Sequence, residues 1–350
     1  MMEFSSTRNN PLVDPHLGVW SWEIPIYLFL GGIVAGLMIL GGLALLRVAR
    51  GDDSRTFYSW QAPLLGFALM NVGMLALLLD LTHRLYVWRL YTTFQPASPM
   101  SWGAWILILV YVVLLASAVI RLHESWPWLG QEFPVLQRWS NTFTAAPRRL
   151  AALGWANLLV GAALGIYTGI LLNTMVARPL WNSAILAPLF LVSGLSTGAA
   201  ALHLLEPLQR RLAALRWPAP GRLPGLLQQV GPNPPGHGAS TSLVRLDQVF
   251  VVIELTIIIL LIIDLSTGSI SKVGAASLIV SGPYALAFWV GVVALGLVVP
   301  LAWQAMMLVR PSAQSVVPAL LVLAGGYTLR WVIVNAGQLS AFVPTVVSAR

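Results

Sequence analysis

Long apolar runs recur along this chain of 350 residues and constrain its fold more than any other feature. A run of about 20 apolar residues crosses the hydrocarbon core of a bilayer as an α-helix. Charged residues make up 9% of the chain, whereas a soluble domain carries about a quarter. The pattern therefore predicts an all-α, polytopic membrane protein. The eight predicted spans are 24–46, 60–81, 103–121, 151–173, 182–204, 248–264, 284–308 and 315–336.

Two places in this pattern leave alternatives open. Residues 265–283 are short and rich in Gly and Ser, so they form either a ninth span or a re-entrant or surface segment. Pro300 lies inside the seventh span, where a bend is expected because proline removes a helical hydrogen bond.

A short internal repeat suggests how the spans are arranged. Residues 25–36 read PIYLFLGGIVAG, and residues 188–199 read PLFLVSGLSTGA. The two segments begin the first and fifth spans, which run in the same direction, so two parallel four-helix halves are expected. Small residues four apart, such as Gly32 and Gly36, are suited to close helix contact in lipid.

Arginine accounts for almost all of the excess behind the net charge of +8, and it is concentrated on one side of the predicted bundle. That side holds Arg47, Arg50, Arg55, Arg121, Arg138, Arg148, Arg149, Arg210, Arg211, Arg216, Arg222, Arg245 and Arg310. By the positive-inside rule it faces the cytoplasm, which places both termini on the periplasmic face of the cytoplasmic (inner) membrane. The excess indicates topology and contact with membrane lipids, and no nucleic-acid partner is expected.

The sequence then divides into four parts. They are an outer N-terminal segment (1–23), the first five spans (24–204), a cytoplasmic Pro/Gly-rich loop (205–247) and the last three spans with the C-terminus (248–350).

The chain has no cysteine, which excludes disulfides, cysteine-ligated iron–sulfur clusters and c-type haem attachment within it. Its five histidines do not pair at matching depth inside spans, as bis-histidine haem ligation requires. We therefore predict a protein without haem and without an iron–sulfur cluster of its own.

Polar residues gather at the outer ends of several spans. Glu23 and Tyr27 share one face of the first span, the second ends in Asp80, His83 and Arg84, Tyr167 lies in the fourth and Arg330 in the eighth. An ionisable group inside the membrane costs roughly 2.5–3.5 kcal/mol and usually has a partner or a task. Asp80 and Arg84 are also four residues apart, so a simple local ion pair is the structural alternative.

A quinone is the ligand that this set of side chains fits best. Its head group needs hydrogen-bond donors and proton exchange, and its tail needs an apolar route, which lipid supplies. On this hypothesis the site comprises Glu23, Tyr27, Asp80, His83, Arg84, Tyr167 and Arg330, with the two arginines stabilising negative charge.

A second set of ionisable residues lies toward the arginine-rich side. Glu254 sits well inside the sixth span, Asp247 lies seven residues earlier on the same helical face, and His203 ends the fifth span. These residues are candidates for a proton path from the cytoplasm; the alternative is a protonated acid held by a neighbouring helix. The buried acid and the repeat would also fit a proton-coupled secondary transporter.

Four stretches resemble the NrfD/PsrC family of polysulfide-reductase-like membrane subunits. They are WSWEIPIYLFLGGIVAG (20–36), DLTHRLYVWRLYTTFQPASPMSWGAWIL (80–107), YTGILLNTMVARPLW (167–181) and RWVIVNAGQ (330–338). The resemblance implies eight or nine transmembrane helices and no prosthetic group. It also implies a pocket for menaquinone or ubiquinone near Glu23, Tyr27 and Tyr167. Partners implied by it are a periplasmic four-cluster iron–sulfur subunit and a catalytic subunit, often of the molybdopterin type.

Overall fold

A computed structural model describes residues 20–52, 56–125, 132–214, 237–309 and 315–341. Eight of its helices are long and apolar enough to cross a membrane, which confirms the all-α, polytopic fold class. The helices are α1 (Glu23–Val48), α2 (Thr56–Asp80), α3 (Trp88–Thr92), α4 (Pro99–Ser125), α5 (Pro134–Thr144), α6 (Pro147–Asn173), α7 (Leu186–Ala214), α8 (His237–Thr267), α9 (Ile270–Val280), α10 (π-helical over Ala287–Val298, α-helical over Val299–Val309) and α11 (Val317–Leu339).

Several helices extend beyond the predicted spans. Helix α7 continues to Ala214 and α8 already begins at His237, so both ends of the predicted loop 205–247 are helical. A helix does not stop at the edge of the hydrocarbon, because its backbone hydrogen bonds persist in water where the residues favour them. The centre of that loop and most of the N-terminal segment 1–23 lie outside the described residues.

The ambiguous stretch 265–283 contains helix α9, which is 11 residues long and too short to cross a membrane. Its N-cap is Ser269, whose hydroxyl oxygen accepts from the backbone N–H of Lys272. The Nζ atom of Lys272 lies 3.1 Å from Asp264 at the end of α8. Helix α9 buries one face, including Ala275 and Ile279, against the bundle.

The seventh span changes helix type close to the proline that was expected to bend it. The span is π-helical over Ala287–Val298 and α-helical from Val299, so Pro300 is the second residue of the α-helical part. Proline has no N–H to donate within a continuous helix, and the change of helix type coincides with this missing hydrogen bond. The irregularity at this point is therefore a change of helix geometry.

The two repeat-bearing helices, α1 and α7, lie side by side at the centre of the bundle. A Cβ atom added to Gly36 would collide with the backbone of Gly194, and one added to Gly198 would lie 2.8 Å from the Cα of Gly36. The helices therefore touch through backbone atoms, as small residues at helix crossings allow in lipid. Helix α1 is buried over most of its length, and it also packs against α2 and α6.

Candidate functional site

Three tyrosines form the centre of the candidate site, which we name the tyrosine cluster: Tyr27, Tyr91 and Tyr167. Tyr27 in α1 and Tyr167 in α6 are buried, and Tyr91 in the short helix α3 is half-buried. Their phenol groups lie close enough to interact electrostatically. Burial raises the pKa of the Tyr91 phenol, so this group is a neutral hydrogen-bond donor at neutral pH.

Tyr27 lies beside α2, where a Cβ atom at Gly73 would make an ordinary contact of 3.8 Å with its Cδ2 atom. A glycine on α4, in contrast, makes room for the ring of Tyr167. At Gly103 of α4, the space of a Cβ atom is occupied by the ring and hydroxyl group of Tyr167. The position of the Tyr167 phenol thus depends on the absence of a side chain at residue 103.

The segment between α3 and α4 is held in place by hydrogen bonds. Ser101 accepts a bond from the backbone N–H of Gln95 at 3.0 Å. The indole N–H of Trp102 donates to the carbonyl oxygen of Pro96 at 2.8 Å. These bonds fix the first turn of α4, which presents Gly103 to the tyrosine cluster.

Two carboxylates lie at the same end of the bundle. Glu23, in the first turn of α1, accepts a hydrogen bond from the hydroxyl of Ser21. Asp80 ends α2 and interacts electrostatically with Glu23. Both carboxylates are only partly buried, so they can exchange protons with water.

His83 and Arg84 lie further out, on an open groove of about 490 Å³ lined by residues 79–86. The guanidinium of Arg84 donates to the carbonyl oxygen of Leu79 at 2.6 Å. Within the described part of the protein, no ion pair joins Arg84 to Asp80. Asp80 is therefore left available to the site rather than being neutralised within its own segment.

Arg330 lies deeper, away from His83 and Arg84, and is 0% exposed. Its Nη1 atom donates to the hydroxyl oxygen of Ser193 at 2.9 Å and to the carbonyl oxygen of Gly326 at 2.8 Å. Its Nε atom donates to the carbonyl oxygen of Leu28 at 3.2 Å. Ser193 also hydrogen-bonds Glu254, whose carboxyl group interacts electrostatically with Arg330. One hydroxyl therefore joins the buried cation to the buried acid.

The second buried acid, Asp247, lies next to a small cavity on the arginine-rich side. Its oxygens accept from Ser196 at 2.8 Å and from Gln304 at 2.6 Å. His203 and Gln304 line the same cavity of about 10 Å³, and the His203 Nδ1 and Gln304 Oε1 atoms have no hydrogen-bond partner among the described residues. A cavity of this size with such groups suits a single water molecule.

We name the set Arg330, Ser193, Glu254, Ser196, Asp247, Gln304 and His203 the buried polar chain. It consists of two hydrogen-bonded groups, one around Asp247 at the cavity and one around Glu254 and Arg330, and the two acids interact electrostatically. Arg330 also bonds the carbonyl oxygen of Leu28, the residue after Tyr27. All three predicted proton-path residues belong to it. Of the predicted quinone-site residues, Arg330 belongs to this chain, while the others lie at the tyrosine cluster or on the groove beside it.

Sequence reasoning missed Tyr91, Ser193, Ser196 and Gln304. Ser193 and Ser196 lie three residues apart on α7 and face Glu254 and Asp247, which lie seven apart on α8. The spacing of the serines on one helix and of the acids on the other could have indicated that these two faces meet. Serine and glutamine are too common in spans to be singled out without a neighbouring helix to place them.

The fold and the two sets of polar residues define a multi-pass membrane protein with ionisable groups inside its bundle. The family described as "Polysulphide reductase, NrfD" matches residues 8–231 and 233–342. Protein NrfD of Escherichia coli (strain K12) is 32% identical over 343 residues, which covers 92% of this sequence and 96% of that protein. One component of the polysulfide reductase of Wolinella succinogenes is 29% identical over 334 residues, covering 91% and 94%. One component of the selenate reductase of Mesobacillus selenatarsenatis is 24% identical over 215 residues, covering 52% and 46%.

The chain belongs to the NrfD family. It is a membrane anchor subunit of an oxidoreductase, and the resemblance that the sequence suggested is confirmed.

Proposed function

We propose that this subunit binds a quinone or quinol at the tyrosine cluster and exchanges electrons with an iron–sulfur subunit on the periplasmic side. The quinone head group would lie among Tyr27, Tyr91 and Tyr167, with Glu23 and Asp80 beside it. His83 and Arg84 would stand at the mouth of the site, on the open groove. Arg330 would influence the site indirectly, because its guanidinium bonds the carbonyl oxygen of Leu28, the residue after Tyr27.

The observation that carries this proposal is that three interacting phenols and a pair of interacting carboxylates, from four helices, lie at one end of an apolar bundle. A quinone has two carbonyl oxygens that accept hydrogen bonds, and phenols supply such donors at neutral pH. Its reduction takes up two protons with two electrons, and carboxylates near water can deliver or receive those protons. The bilayer gives the isoprenoid tail its route to the site.

The electrons must come from, or go to, another protein, since this sequence has no cysteine for a cluster. Two relatives are described as components of reductases, which supports a multi-subunit complex. We propose a four-cluster iron–sulfur protein and a catalytic subunit of the molybdopterin type as partners. The positive-inside rule puts the arginine-rich side in the cytoplasm, so the partners would dock in the periplasm at the inner membrane.

The buried polar chain supports a further part of the proposal, a proton path from the cytoplasmic side. His203, Asp247 and Glu254 follow one another into the membrane, and Ser196 and Ser193 bond the two acids. Buried acids that bond hydroxyl groups and interact with each other are suited to passing protons. Coupling of this path to quinone chemistry would pass through Arg330.

Direct binding of a quinone analogue to the purified protein in detergent tests the central claim. We expect saturable binding of a short-chain naphthoquinone or ubiquinone analogue by calorimetry. Tyr167→Phe removes one donor and should weaken binding about tenfold, the effect of roughly one hydrogen bond. Glu23→Gln should lower quinol-linked turnover in the assembled complex.

Tyr327→Phe is the matched control, because this half-buried tyrosine of α11 packs on Phe29 away from the cluster. It should leave binding unchanged. The proposal fails if the wild-type protein does not bind either analogue, or if Tyr167→Phe and Glu23→Gln both leave affinity and turnover intact. A protein that purifies without iron–sulfur partners and moves a solute without quinone would instead be a secondary transporter.

A further inference from the structure

Helix α5 (Pro134–Thr144) does not cross the membrane and is not part of either site. It connects two spans, α4 and α6, at the arginine-rich side and is 11 residues long. One face packs against the bundle, with Ser140 fully buried and Leu136 partly buried.

A second face of α5 is apolar; two of its three side chains are exposed, and the third, Phe143, is half-buried. We name Val135, Trp139 and Phe143 the α5 stripe; they lie four residues apart and so share one side of the helix. Val135 is 62% exposed and Trp139 is 59% exposed. The rings of Trp139 and Phe143 stack with their centroids 6.5 Å apart. Phe133, just before the helix, adds a further exposed ring.

The third face of α5 is polar, with Gln137, Arg138 and Asn141 all exposed. A short helix with low overall hydrophobicity, one apolar face and one polar face is the form that lies in a bilayer interface. Tryptophan favours this depth because its ring is apolar while its N–H can reach water.

The charges beside the stripe are mainly positive. Arg138 lies on α5, and Arg148 and Arg149 lie in the first turn of α6, all three exposed. The guanidinium of Arg149 donates to the carbonyl oxygen of Thr142 at 3.1 Å, which ties α6 to α5. Glu132, two residues before α5 begins, is an exposed acid. The three exposed arginines beside the stripe complement a negatively charged lipid.

We infer that α5 is an in-plane membrane anchor: the α5 stripe is buried at the head-group boundary, and Arg138, Arg148 and Arg149 bind the phosphate of an anionic phospholipid. This inference does not depend on the proposed quinone chemistry. It predicts a preference for phosphatidylglycerol over phosphatidylcholine beside this helix.

The absence of cysteine makes the test clean, since a single introduced thiol is the sole labelling site. A nitroxide label at Val135→Cys should collide mainly with oxygen, which partitions into lipid. The matched label at Gln137→Cys, nearly opposite on the same helix, should collide mainly with a water-soluble nickel chelate. Equal exposure of both labels to the nickel chelate would show that the stripe faces water and would overturn the inference.

Lipid selectivity is measured with a fluorescent label at Val135→Cys, quenched by brominated phosphatidylglycerol or brominated phosphatidylcholine in vesicles. We expect stronger binding of phosphatidylglycerol, and a loss of about fivefold in that preference for each of R138Q, R148Q and R149Q at low ionic strength. The corresponding Arg→Lys variants should keep the preference, which separates charge from folding effects.

R47Q, R50Q and R245Q are the matched controls, because these arginines are exposed on the same side of the bundle but belong to α1, its C-terminal turn and α8. They should leave the preference unchanged. Equal quenching by both lipids in the wild-type protein, or equal losses in the control set, would refute the lipid site.

Discussion

The ring of Tyr167 lies against the backbone of Gly103, in the space where any other residue would place its Cβ atom. Helix α6 and helix α4 thus approach each other closely at the tyrosine cluster. Because the nearest atoms at residue 103 are those of the ring and hydroxyl, a methyl group there must move the phenol. Gly103 is therefore expected to act as a positioning residue for Tyr167.

Gly103→Ala should displace the Tyr167 phenol and lower quinol-linked turnover of the complex by up to about 10²-fold, the effect of a misplacement near 1 Å. Steady-state kinetics of the assembled enzyme provide the measurement. Gly31→Ala is the control, because its added Cβ would have no atom within 4 Å among the described residues outside its own stretch of helix, so the change should be silent. Unchanged turnover in a folded Gly103→Ala complex would show that the ring position is unimportant.

The crossing of α1 and α7 makes a separate prediction about stability. Gly36→Ala places a methyl group against the backbone of Gly194, which cannot rotate away as a side chain could. We expect a loss of about 1–3 kcal/mol, the usual cost of overpacking, seen as a lower unfolding temperature in detergent. Gly31→Ala, in the same helix, should be neutral or slightly stabilising because alanine favours helix over glycine. Equal unfolding temperatures for the two variants would contradict a backbone contact at this crossing.

The sequence predicted the number, type and order of the spans because a membrane imposes one length and one polarity on every helix that crosses it. A close helix contact at Gly32 and Gly36 was likewise predictable, since small residues four apart in a span typically lie where two helices cross. Helix ends were less predictable, as α7 and α8 show, because nothing in water requires a helix to end at the lipid boundary.

The candidate site was predictable in part. Tyr27 and Tyr167 were predicted because Tyr27 shares a helical face with Glu23 and Tyr167 lies at a similar depth in its own span. Arg330 was expected among the outer residues, whereas its guanidinium bonds Ser193 and the backbone of α1 and α11. Position along a helix gives the depth of a residue, but the neighbouring helix that its side chain faces is decided by the packing of the whole bundle.

Arg330 and Glu254 are expected to depend on each other for stability. Arg330→Met leaves the buried Glu254 carboxyl without its cation, which should destabilise the protein by about 3–5 kcal/mol. The double variant Arg330→Met/Glu254→Gln removes both charges and should recover much of that loss. Thermal unfolding of the wild type, both single variants and the double variant in one detergent measures this coupling. Additive losses would mean that the two groups do not interact.

The buried polar chain predicts that protons taken up from the arginine-rich side during electron transfer pass through Glu254 and Asp247. Glu254→Gln keeps the shape and the hydrogen bond to Ser193 but cannot release a proton, so uptake through the chain should stop there. In reconstituted vesicles we expect a lower ratio of protons moved to electrons transferred, measured with a pH-sensitive dye. Asp247→Asn should act in the same way: its Oδ1 atom can still accept from Ser196, and its new N–H group can donate to Gln304 once the Gln304 amide turns to present its oxygen. Asn157→Ser is the control, because Asn157 is a buried polar residue of α6 that bonds Ser117 and lies outside the chain. An unchanged ratio in both acid variants would leave the chain with a structural role alone, since each would then hold its helices together without carrying protons.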